Sequence, residues 1–340
     1  MPPTSSTQDW LPTASSAALR ARARLLSILR EFFDSQGFLE VETPLLSRDV
    51  VVDRHLDPFF VKLYSDPTAP EFGPTYFTQT SPEFGMKRLL AAGELPTIYQ
   101  ICKAFRAGER GDLHNPEFTM LEWYRVGDDY HRGMNLLADL TAHVIAEWNF
   151  TLGPVRPVKR ISYGELFSAA SGLNPHTAAA QELADWAKQQ SPAPPEIPLA
   201  DRDSWLDWIS TQFAEPKLDP ETPTILYDFP ASKAALAQVT PENGTPVARR
   251  FELYYRGLEL ANGYHELLDP AALAQRAAAA NQEREQDGKR TLPAVSRLLD
   301  AMAAGLPACA GAALGVDRLL MALLRAKKID EVVAFPVNRA

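Results

Sequence analysis

Strand patterns stand on both sides of a helical stretch, and this order limits the fold more than any other feature of the sequence. Apolar positions indicate strands over Thr97–Phe105 and Phe118–Arg125, and strands resume at Thr224–Phe229 and Phe251–Leu260. Residues 154–223 lie between these groups and read as helical in pieces. Strands grouped around helical insertions predict an α+β fold with a mostly antiparallel sheet flanked by helices. The 46% hydrophobic and 23% charged residues fit an ordinary globular protein and exclude a disordered chain.

The chain divides into a short tail and one large domain. Residues 1–15 are rich in Pro, Ser and Thr and predict a flexible tail, followed by a domain over residues 16–340. Its first helix is predicted from Ser16 to Gln36, and Gly37 supplies a left-handed stop. The stretch 154–223 is interpreted as a helical insertion, for which a solvated connector is as plausible as a functional role.

The remaining elements are shorter and are separated by Gly and Pro. The sequence predicts strands at Phe38–Pro44, Tyr76–Thr80 and Val332–Phe335, and helices at Met134–Trp148, Ala271–Arg284 and Val316–Arg325. A turn rich in Gly and Ala is expected immediately before the last helix.

Composition and motif searches exclude several functional classes. The 34 Lys and Arg against 43 Asp and Glu give a net charge of −9, which disfavours non-specific binding of nucleic acid. The two cysteines form neither a zinc cluster nor a disulfide framework. No signal peptide or membrane span is evident, so we expect a cytoplasmic protein with no membrane partner. Neither a dinucleotide fingerprint nor a P-loop occurs, and His265-Glu266 lacks the second histidine of a zinc protease.

Three polar constellations indicate a nucleotide site. Thr80–Arg88 is a polar turn that opens a helix, and Arg106 ends a strand just before the polar and aromatic segment His114–Thr119. Gly311–Arg318 is a glycine-rich turn followed by a helix with Arg318 in its first turn. One arginine alone is more often a surface ion pair, but two arginines with backbone amides suit a triphosphate.

An acidic set accompanies the arginines. Glu252, Glu259 and Glu266 are spaced by seven residues, which is typical of one helix face, yet Gly257 and Asn262-Gly263 break any helix here. In a strand, residues seven apart lie on opposite faces unless a turn or a bulge intervenes, and Gly257 and Asn262-Gly263 are the expected places for one. If these carboxylates converge, they are candidate magnesium ligands or acceptors for an ammonium group.

Three segments of the sequence resemble the three motifs of a class II aminoacyl-tRNA synthetase catalytic domain, and they occur in the family's order. Gly37–Pro44 is similar to the first motif, which forms the dimer interface. Phe105-Arg106 with His114–Phe118 is similar to the second motif, and Gly311–Arg318 to the third. Within this class, Thr119–Tyr124 and Glu259–Glu266 resemble the lysyl branch.

A closer resemblance is to the elongation factor P–(R)-β-lysine ligase family, a paralogue of lysyl-tRNA synthetase without the anticodon-binding domain. It is carried by Ser81–Leu90, Phe229–Gln238 and Phe335–Ala340, and the likeness covers residues 15–340. The resemblance implies a homodimeric, ATP-dependent ligase that activates (R)-β-lysine as an adenylate and transfers it to a lysine ε-amine of elongation factor P. A tRNA partner is not expected. The alternatives are a free-standing lysine-activating enzyme that loads tRNA or a carrier, and a catalytically silent paralogue.

The resemblance also implies roles for individual residues. Arg106 and Arg318 are the expected catalytic residues, on the α- and γ-phosphates of ATP. The expected substrate-binding residues are Ser81, Pro82, Glu83, Tyr124, Glu266 and Ala313. The expected ATP-binding residues are Arg106, Ala107, Gly108, Asn115, Glu259, Leu260, Gly315 and Arg318. Glu252 and Glu259 are the expected Mg²⁺ ligands.

Two positions depart from related patterns. Many family members have Phe-Arg-Asn-Glu in the second motif, whereas this chain has Phe105-Arg-Ala-Gly-Glu109, so Ala107 and Gly108 could reach ATP only through their backbone. Ala313 stands where the lysyl-tRNA synthetase pattern has glycine. We expect its methyl group to favour β-lysine over α-lysine, although it could simply stiffen the turn.

Overall fold

A computed structural model describes residues 9–148 and 156–340. Most of the expected tail, and residues 154–155 at the start of the expected insertion, lie outside the described residues. The helices are α1 (Ser16–Ser35), α2 (Glu83–Ala91), α3 (Tyr130–Trp148), α4 (Tyr163–Ser171), α5 (Ala180–Ala187), α6 (Arg202–Ile209), α7 (Pro270–Gln286), α8 (Arg297–Gly305) and α9 (Val316–Leu324). The strands are β1 (Leu39–Glu40), β2 (Leu46–Ser47), β3 (Phe60–Lys62), β4 (Thr75–Thr78), β5 (Thr97–Phe105), β6 (Glu117–Val126), β7 (Lys159–Ser162), β8 (Thr224–Pro230), β9 (Val239–Glu242), β10 (Thr245–Tyr255), β11 (Leu258–His265) and β12 (Cys309–Gly315).

The chain forms two compact units. Of the described residues, the first unit comprises 9–127, 268–309 and 313–340, and the second comprises 128–148, 156–267 and 310–312. Strand β12 is therefore divided between them. In the part of the chain that the structure describes, no helix is long and apolar enough to cross a membrane.

In the first unit, helix α1 packs its apolar face into the core as the sequence predicts. Leu25, Ile28, Leu29, Phe32 and Phe33 are all buried. The Ser15 side chain accepts a hydrogen bond from the Ala18 N–H at the start of this helix. Strand β5 pairs in parallel with β1 and antiparallel with β6, while β2, β4 and β3 form a separate small antiparallel sheet.

In the second unit, an antiparallel sheet carries the helical insertion. Strand β10 pairs antiparallel with β11, β8 and β9, and β7 pairs in parallel with β8. Helices α4, α5 and α6 share a buried cluster with one face of this sheet, including Leu183, Trp205, Leu206 and Phe229. The insertion therefore has a hydrophobic core in common with the sheet, which a solvated connector would lack.

The α+β class and the mostly antiparallel sheet are confirmed. The bounds of β5 match the prediction, and helices α3, α7 and α9 lie where the sequence places them. The strand expected at Phe38–Pro44 is only Leu39–Glu40. Helix α8 was not predicted.

Three expectations about strands and turns are wrong. The single strand expected over Phe251–Leu260 is a hairpin, because Arg256 and Gly257 both have positive φ, at 54° and 74°, and reverse the chain. The Gly/Ala-rich turn before α9 is strand β12, in which small side chains lie buried within the sheet. Val332–Phe335 is not a strand, because Ile329–Glu331 forms a 3₁₀ helix whose end is closed by Val332.

Candidate active site

The β5–β6 hairpin of the first unit positions Arg106. The register places Phe105 opposite Glu117, so Arg106 leaves the sheet at the end of β5. Its guanidinium lies 5.0 Å from the centre of the Phe118 ring, and its Nε donates to the carbonyl oxygen of Thr80 at 3.4 Å. The sequence predicted this combination of an arginine and an aromatic ring in one hairpin, and the two contacts fix the position of the guanidinium.

Arg106 and Arg318 are linked through two polar residues. Glu109 Oε1 lies 3.4 Å from Arg106 Nη1, and Glu109 Oε2 lies 3.9 Å from His114 Nε2. His114 Nε2 also lies 2.5 Å from Arg318 Nη2. Burial, and then the positive charge of Arg318, lowers the pKa of His114, so the neutral ring can accept from the guanidinium. Glu109 thus contacts Arg106, although it stands three residues after the arginine and not two as in many family members.

Asp317 fixes the start of helix α9 and therefore the position of Arg318. Its carboxylate pairs with Arg22 of α1 and accepts from the Thr119 N–H at 2.6 Å. Arg318 follows directly in the first turn. Gly315 precedes this helix with φ of −76°, an ordinary value, so its lack of a side chain matters for close approach and not for backbone conformation.

Three other residues expected to bind ATP lie in the same hairpin region. The Ala107 N–H already donates to the carbonyl oxygen of Asp57 at 2.7 Å, and a Cβ on Gly108 would meet no atom within 4 Å. Asn115 is buried; its Nδ2 donates to the Glu117 carbonyl at 2.6 Å and its Oδ1 accepts from the Val337 N–H at 3.0 Å. Asn115 thus joins the hairpin to the C-terminal segment.

The start of helix α2 carries the residues expected to bind an amino group. Ser81 and Pro82 precede the helix, and the Ser81 Oγ accepts from the Glu83 N–H at 3.1 Å. Glu83 Oε1 lies 2.5 Å from Lys87 Nζ one turn later, and both side chains are almost fully buried. The polar turn that opens a helix is confirmed, with a buried ion pair in its first turn.

Glu122 connects Ser81 with Tyr124. Its Oε2 accepts from the Ser81 hydroxyl at 2.6 Å, and its Oε1 accepts from the Tyr124 hydroxyl at 2.5 Å. Burial, followed by the negative charge of Glu83, raises the pKa of Glu122 to about 7. We use the name amine cluster for Ser81, Glu83, Lys87, Glu122 and Tyr124.

A bulge in the second unit places the acidic residues on one face of the sheet. Leu253 pairs with Ala261 but Tyr254 pairs with Glu259, so Leu260 is an extra residue in β11. Directly paired residues share a face, and Glu252 lies two residues before Tyr254. Glu259 therefore faces the same side as Glu252, and so does Glu266, which follows Glu252's partner Asn262 by four residues. The expected irregularity at Gly257 is confirmed as a turn, whereas the bulge lies at Leu260 and not at Asn262-Gly263, where the register is regular.

On this face, Arg250 and Tyr254 engage Glu252. The Arg250 Nη2 pairs with Glu252 Oε1, and the Tyr254 hydroxyl donates to Glu252 Oε2 at 2.8 Å. Arg250 also donates to the Lys233 carbonyl at 3.0 Å and stacks over Phe229 at 4.8 Å. We use the name carboxylate face for Arg250, Glu252, Tyr254 and Glu259.

The bulge residue Leu260 is buried, and so is Glu266, which lies just beyond the end of β11. Glu266 is 1% exposed, and its backbone pairs with Ala237 beyond the end of β11. The Gln238 Nε2 donates to the Glu266 carbonyl at 2.9 Å. These contacts fix the Glu266 backbone against a neighbouring segment, and its side chain lies where a charge is costly unless it is paired.

The carboxylate face suits Mg²⁺. Mg²⁺ is commonly bound by one or two carboxylates together with substrate phosphates. Glu252 and Glu259 provide two such carboxylates on one side of the sheet. Over residues 9–148 and 156–340, no group of three or more His, Cys, Asp and Glu side chains could form a metal site by itself.

Several residues of these clusters were missed from sequence. Lys87 and Glu122 carried no assigned role, and neither did His114 or Arg250. For Glu122 and Arg250 a signal existed, because each lies two residues from an assigned residue on a strand, Tyr124 and Glu252, and so shares its face. Lys87 stands one helical turn from Glu83.

Comparisons with known proteins show the family of this chain. The family described as tRNA synthetases class II (D, K and N) matches residues 5–339. Proteins named elongation factor P–(R)-β-lysine ligase in Salmonella paratyphi B, Salmonella schwarzengrund and Salmonella heidelberg are each 43% identical over 336 residues, which covers 99% of this chain and 100% of theirs. The chain therefore belongs to the class II tRNA synthetases of the D, K and N group.

Proposed function

We propose that this protein is an ATP-dependent ligase that activates (R)-β-lysine and transfers it to a lysine of elongation factor P. The observation that carries the proposal is 43% identity over the full length of relatives bearing that name. The residues implied by the resemblance are present, and the structure holds Arg106, Arg318 and Glu252 through specific contacts. Such an intact set argues against a catalytically silent paralogue.

The amino acid is bound through its two amino groups. In the amine cluster, Glu83 binds the amine closer to the carboxyl end, with Ser81 and Pro82 shaping the turn around it. Tyr124 and Glu266 bind the distal ammonium. A hydrogen bond to a charged group contributes about 1.5–3 kcal/mol, and a substrate with a neutral side chain would lose this contribution at the buried Glu266 carboxylate.

Activation is a displacement at the α-phosphorus of ATP. An oxygen of the amino-acid carboxylate forms a bond to phosphorus, the bond to the β-phosphate oxygen breaks, and pyrophosphate leaves. Arg106 binds the α-phosphate and Arg318 the γ-phosphate, while Asn115, Leu260 and Gly315 lie around the nucleotide, with backbone contacts from Ala107 and Gly108. Preorganised guanidinium groups stabilise the charge that develops on the phosphate oxygens.

Glu252 and Glu259 would hold Mg²⁺, which would supply neutralisation of the phosphate charge. Arg250 and Tyr254 orient Glu252 for this role, and the bulge at Leu260 turns Glu259 to the same side.

Transfer needs no nucleophile from this chain. The ε-amine of a lysine on elongation factor P attacks the carbonyl carbon of the adenylate, an amide bond forms, and AMP leaves with the bonding electrons. The net charge of −9 favours a protein acceptor over tRNA. The reaction places the protein in the cytoplasm, where translation factors act.

The protein acts as a homodimer through the segment Phe38–Pro44 and helix α1. Support comes from exposed apolar side chains after α1, since Leu39, Leu45 and Leu46 are 49%, 37% and 43% exposed. Such a surface is typical of a protein interface. Light scattering at micromolar concentration should give twice the 37.6 kDa chain mass, and a species of single-chain mass would contradict the dimer.

A transfer assay tests the function. Purified elongation factor P and lysine tRNA are offered side by side, with ATP and labelled (R)-β-lysine, and label is measured on each acceptor. We expect label on elongation factor P alone. The Arg106→Ala variant should lower pyrophosphate exchange by about 10²–10³-fold, because one preorganised donor at the transferring phosphate is lost. Label on tRNA, or wild-type exchange in the variant, would overturn the proposal.

Ala313 contributes to the choice between β-lysine and α-lysine. It lies in strand β12, not in the expected turn, so its methyl group is fixed by the sheet. One methyl group typically gives about 10–200-fold discrimination. Ala313→Gly should raise kcat/KM for α-lysine relative to β-lysine by a factor in this range, and an unchanged ratio in pyrophosphate exchange would remove Ala313 from the specificity.

A further inference from the structure

A buried lysine lies among the residues expected to bind the amino acid. Lys87 is 2% exposed, which is unusual because a lysine is rarely buried unless it is paired. Its Nζ pairs with Glu83 Oε1 at 2.5 Å and lies 5.8 Å from the centre of the Tyr124 ring. Lys87 therefore touches two of the residues to which the resemblance gives a role in substrate binding.

The pairing determines where Glu83 points. Glu83 and Lys87 are one turn apart on α2, so their ion pair fixes the Glu83 rotamer against its own helix. The backbone N–H of Glu83 is bound to Ser81, which in turn donates to Glu122. Each member of the amine cluster thus constrains the next, and Lys87 is the member that holds the Glu83 carboxylate.

Charge balance gives Lys87 a second effect. When both carboxylates are ionised, Glu83, Glu122 and Lys87 together carry one negative charge, which one substrate ammonium would neutralise. Without Lys87, two buried carboxylates would face each other, and their repulsion would turn one of them away or protonate it. The positive charge of Lys87 already opposes the rise in the pKa of Glu122.

We propose that Lys87 is a positioning residue for amino-acid binding, which holds the Glu83 carboxylate in place at the start of helix α2. The inference rests on the proposed function, because it takes the ligand to be an amino acid with a second amine. Lys87 does not contact the reacting atoms, so its effect belongs to binding and not to the chemical step.

The test uses Lys87→Met, which keeps the length of the side chain and removes its charge. Pyrophosphate exchange should show KM for (R)-β-lysine raised by about 10–100-fold, while KM for ATP stays within about twofold of wild type and kcat within about threefold. Lys87→Gln, which can still bond to Glu83, should fall between Lys87→Met and wild type. Arg88→Met, which removes a charge from the exposed side of the same helix, should leave all three constants unchanged.

Other outcomes are informative. An unchanged KM for (R)-β-lysine in Lys87→Met would overturn the inference, as would a parallel rise in KM for both substrates, which indicates a structural role alone. If Lys87→Met does not fold, equilibrium dialysis of (R)-β-lysine with Lys87→Gln decides by the same comparison. Failure of the wild-type protein to activate (R)-β-lysine would contradict the proposed function instead, and the variants would then be compared with the amino acid that is activated.

Discussion

The amine cluster and the carboxylate face contain the same kinds of side chain, a cation, a tyrosine and glutamates, but differ in which glutamate each donor contacts. In each, a basic side chain pairs with a glutamate, and a tyrosine donates to a glutamate two residues before it on a strand. In the amine cluster the two donors contact different carboxylates, because Lys87 pairs with Glu83 and Tyr124 donates to Glu122. On the carboxylate face, Arg250 and Tyr254 both bind the carboxylate of Glu252.

The difference sets how firmly each charge is held. Glu122 accepts from two hydroxyl groups while Lys87 pairs with Glu83, and burial followed by the charge of Glu83 raises the pKa of Glu122 to about 7. Burial opposes the charge on Arg250, yet the charges of Glu252, Tyr264 and Glu259 raise its pKa above the ordinary value. The amine cluster can therefore exchange a proton near neutral pH, whereas the guanidinium beside Glu252 remains charged.

The largest expected effect is on the carboxylate face. Arg250→Ala leaves the Glu252 carboxylate buried with one hydroxyl donor, and removing one partner of a buried ion pair costs about 3–5 kcal/mol. We expect the free energy of unfolding in urea to fall by that amount. Arg250→Lys keeps the charge and should recover part of it. A loss below about 1 kcal/mol in Arg250→Ala would show that the two clusters do not differ in this way.

A smaller effect is expected from pH in the amine cluster. Because the pKa of Glu122 is raised to about 7 in the folded state, the proton on its carboxyl stabilises the fold below about pH 4.5, and this contribution is lost as pH rises through 7. Relative to Glu122→Gln, the wild-type free energy of unfolding should fall by up to about 3 kcal/mol across that window. Glu71→Gln, an exposed change, is the control. Parallel curves for wild type and Glu122→Gln would contradict the prediction.

A third experiment compares the two tyrosines directly and should give the smallest effect. Tyr124→Phe and Tyr254→Phe each remove one hydroxyl donor to a carboxylate, which costs about 1–3 kcal/mol when the acceptor is buried. Tyr254→Phe should cost less, because Arg250 still binds Glu252. Thermal unfolding, with the exposed Tyr64→Phe as control, measures both. Equal or reversed losses would mean that the cation does not compensate for the lost hydroxyl.

Local patterns predicted much of the fold. The strand Thr97–Phe105 and the buried face of α1 followed from the spacing of apolar residues. Strand β12 was mistaken for a turn because Ala and Gly have low strand propensity, and only burial within the sheet makes them suitable there. Val332 is fully buried beside a 3₁₀ helix, so its apolar character reflected packing and not a strand.

The site was predicted as a set of residues but not as a set of contacts. Arg106 over Phe118 could be foreseen, since both belong to one hairpin. The bond between His114 and Arg318 joins residues about two hundred positions apart, and no local pattern indicates it. The spacing of four residues on a helix could have predicted that Lys87 lies beside Glu83, but nothing in the neighbouring sequence showed that Lys87 is buried.

Because of the extra residue at Leu260, the number of residues in this hairpin determines whether Glu252 and Glu259 lie on the same face of the sheet. Glu252 and Glu259 share a face only because one residue more stands in β11 than in the facing part of β10. Deletion of that single residue would leave every carboxylate in the sequence and turn Glu259 towards the side of the sheet where Phe251 and Leu253 are buried. A homologue with such a gap could keep the full motif in an alignment and still be unable to bring its two glutamates to one ligand.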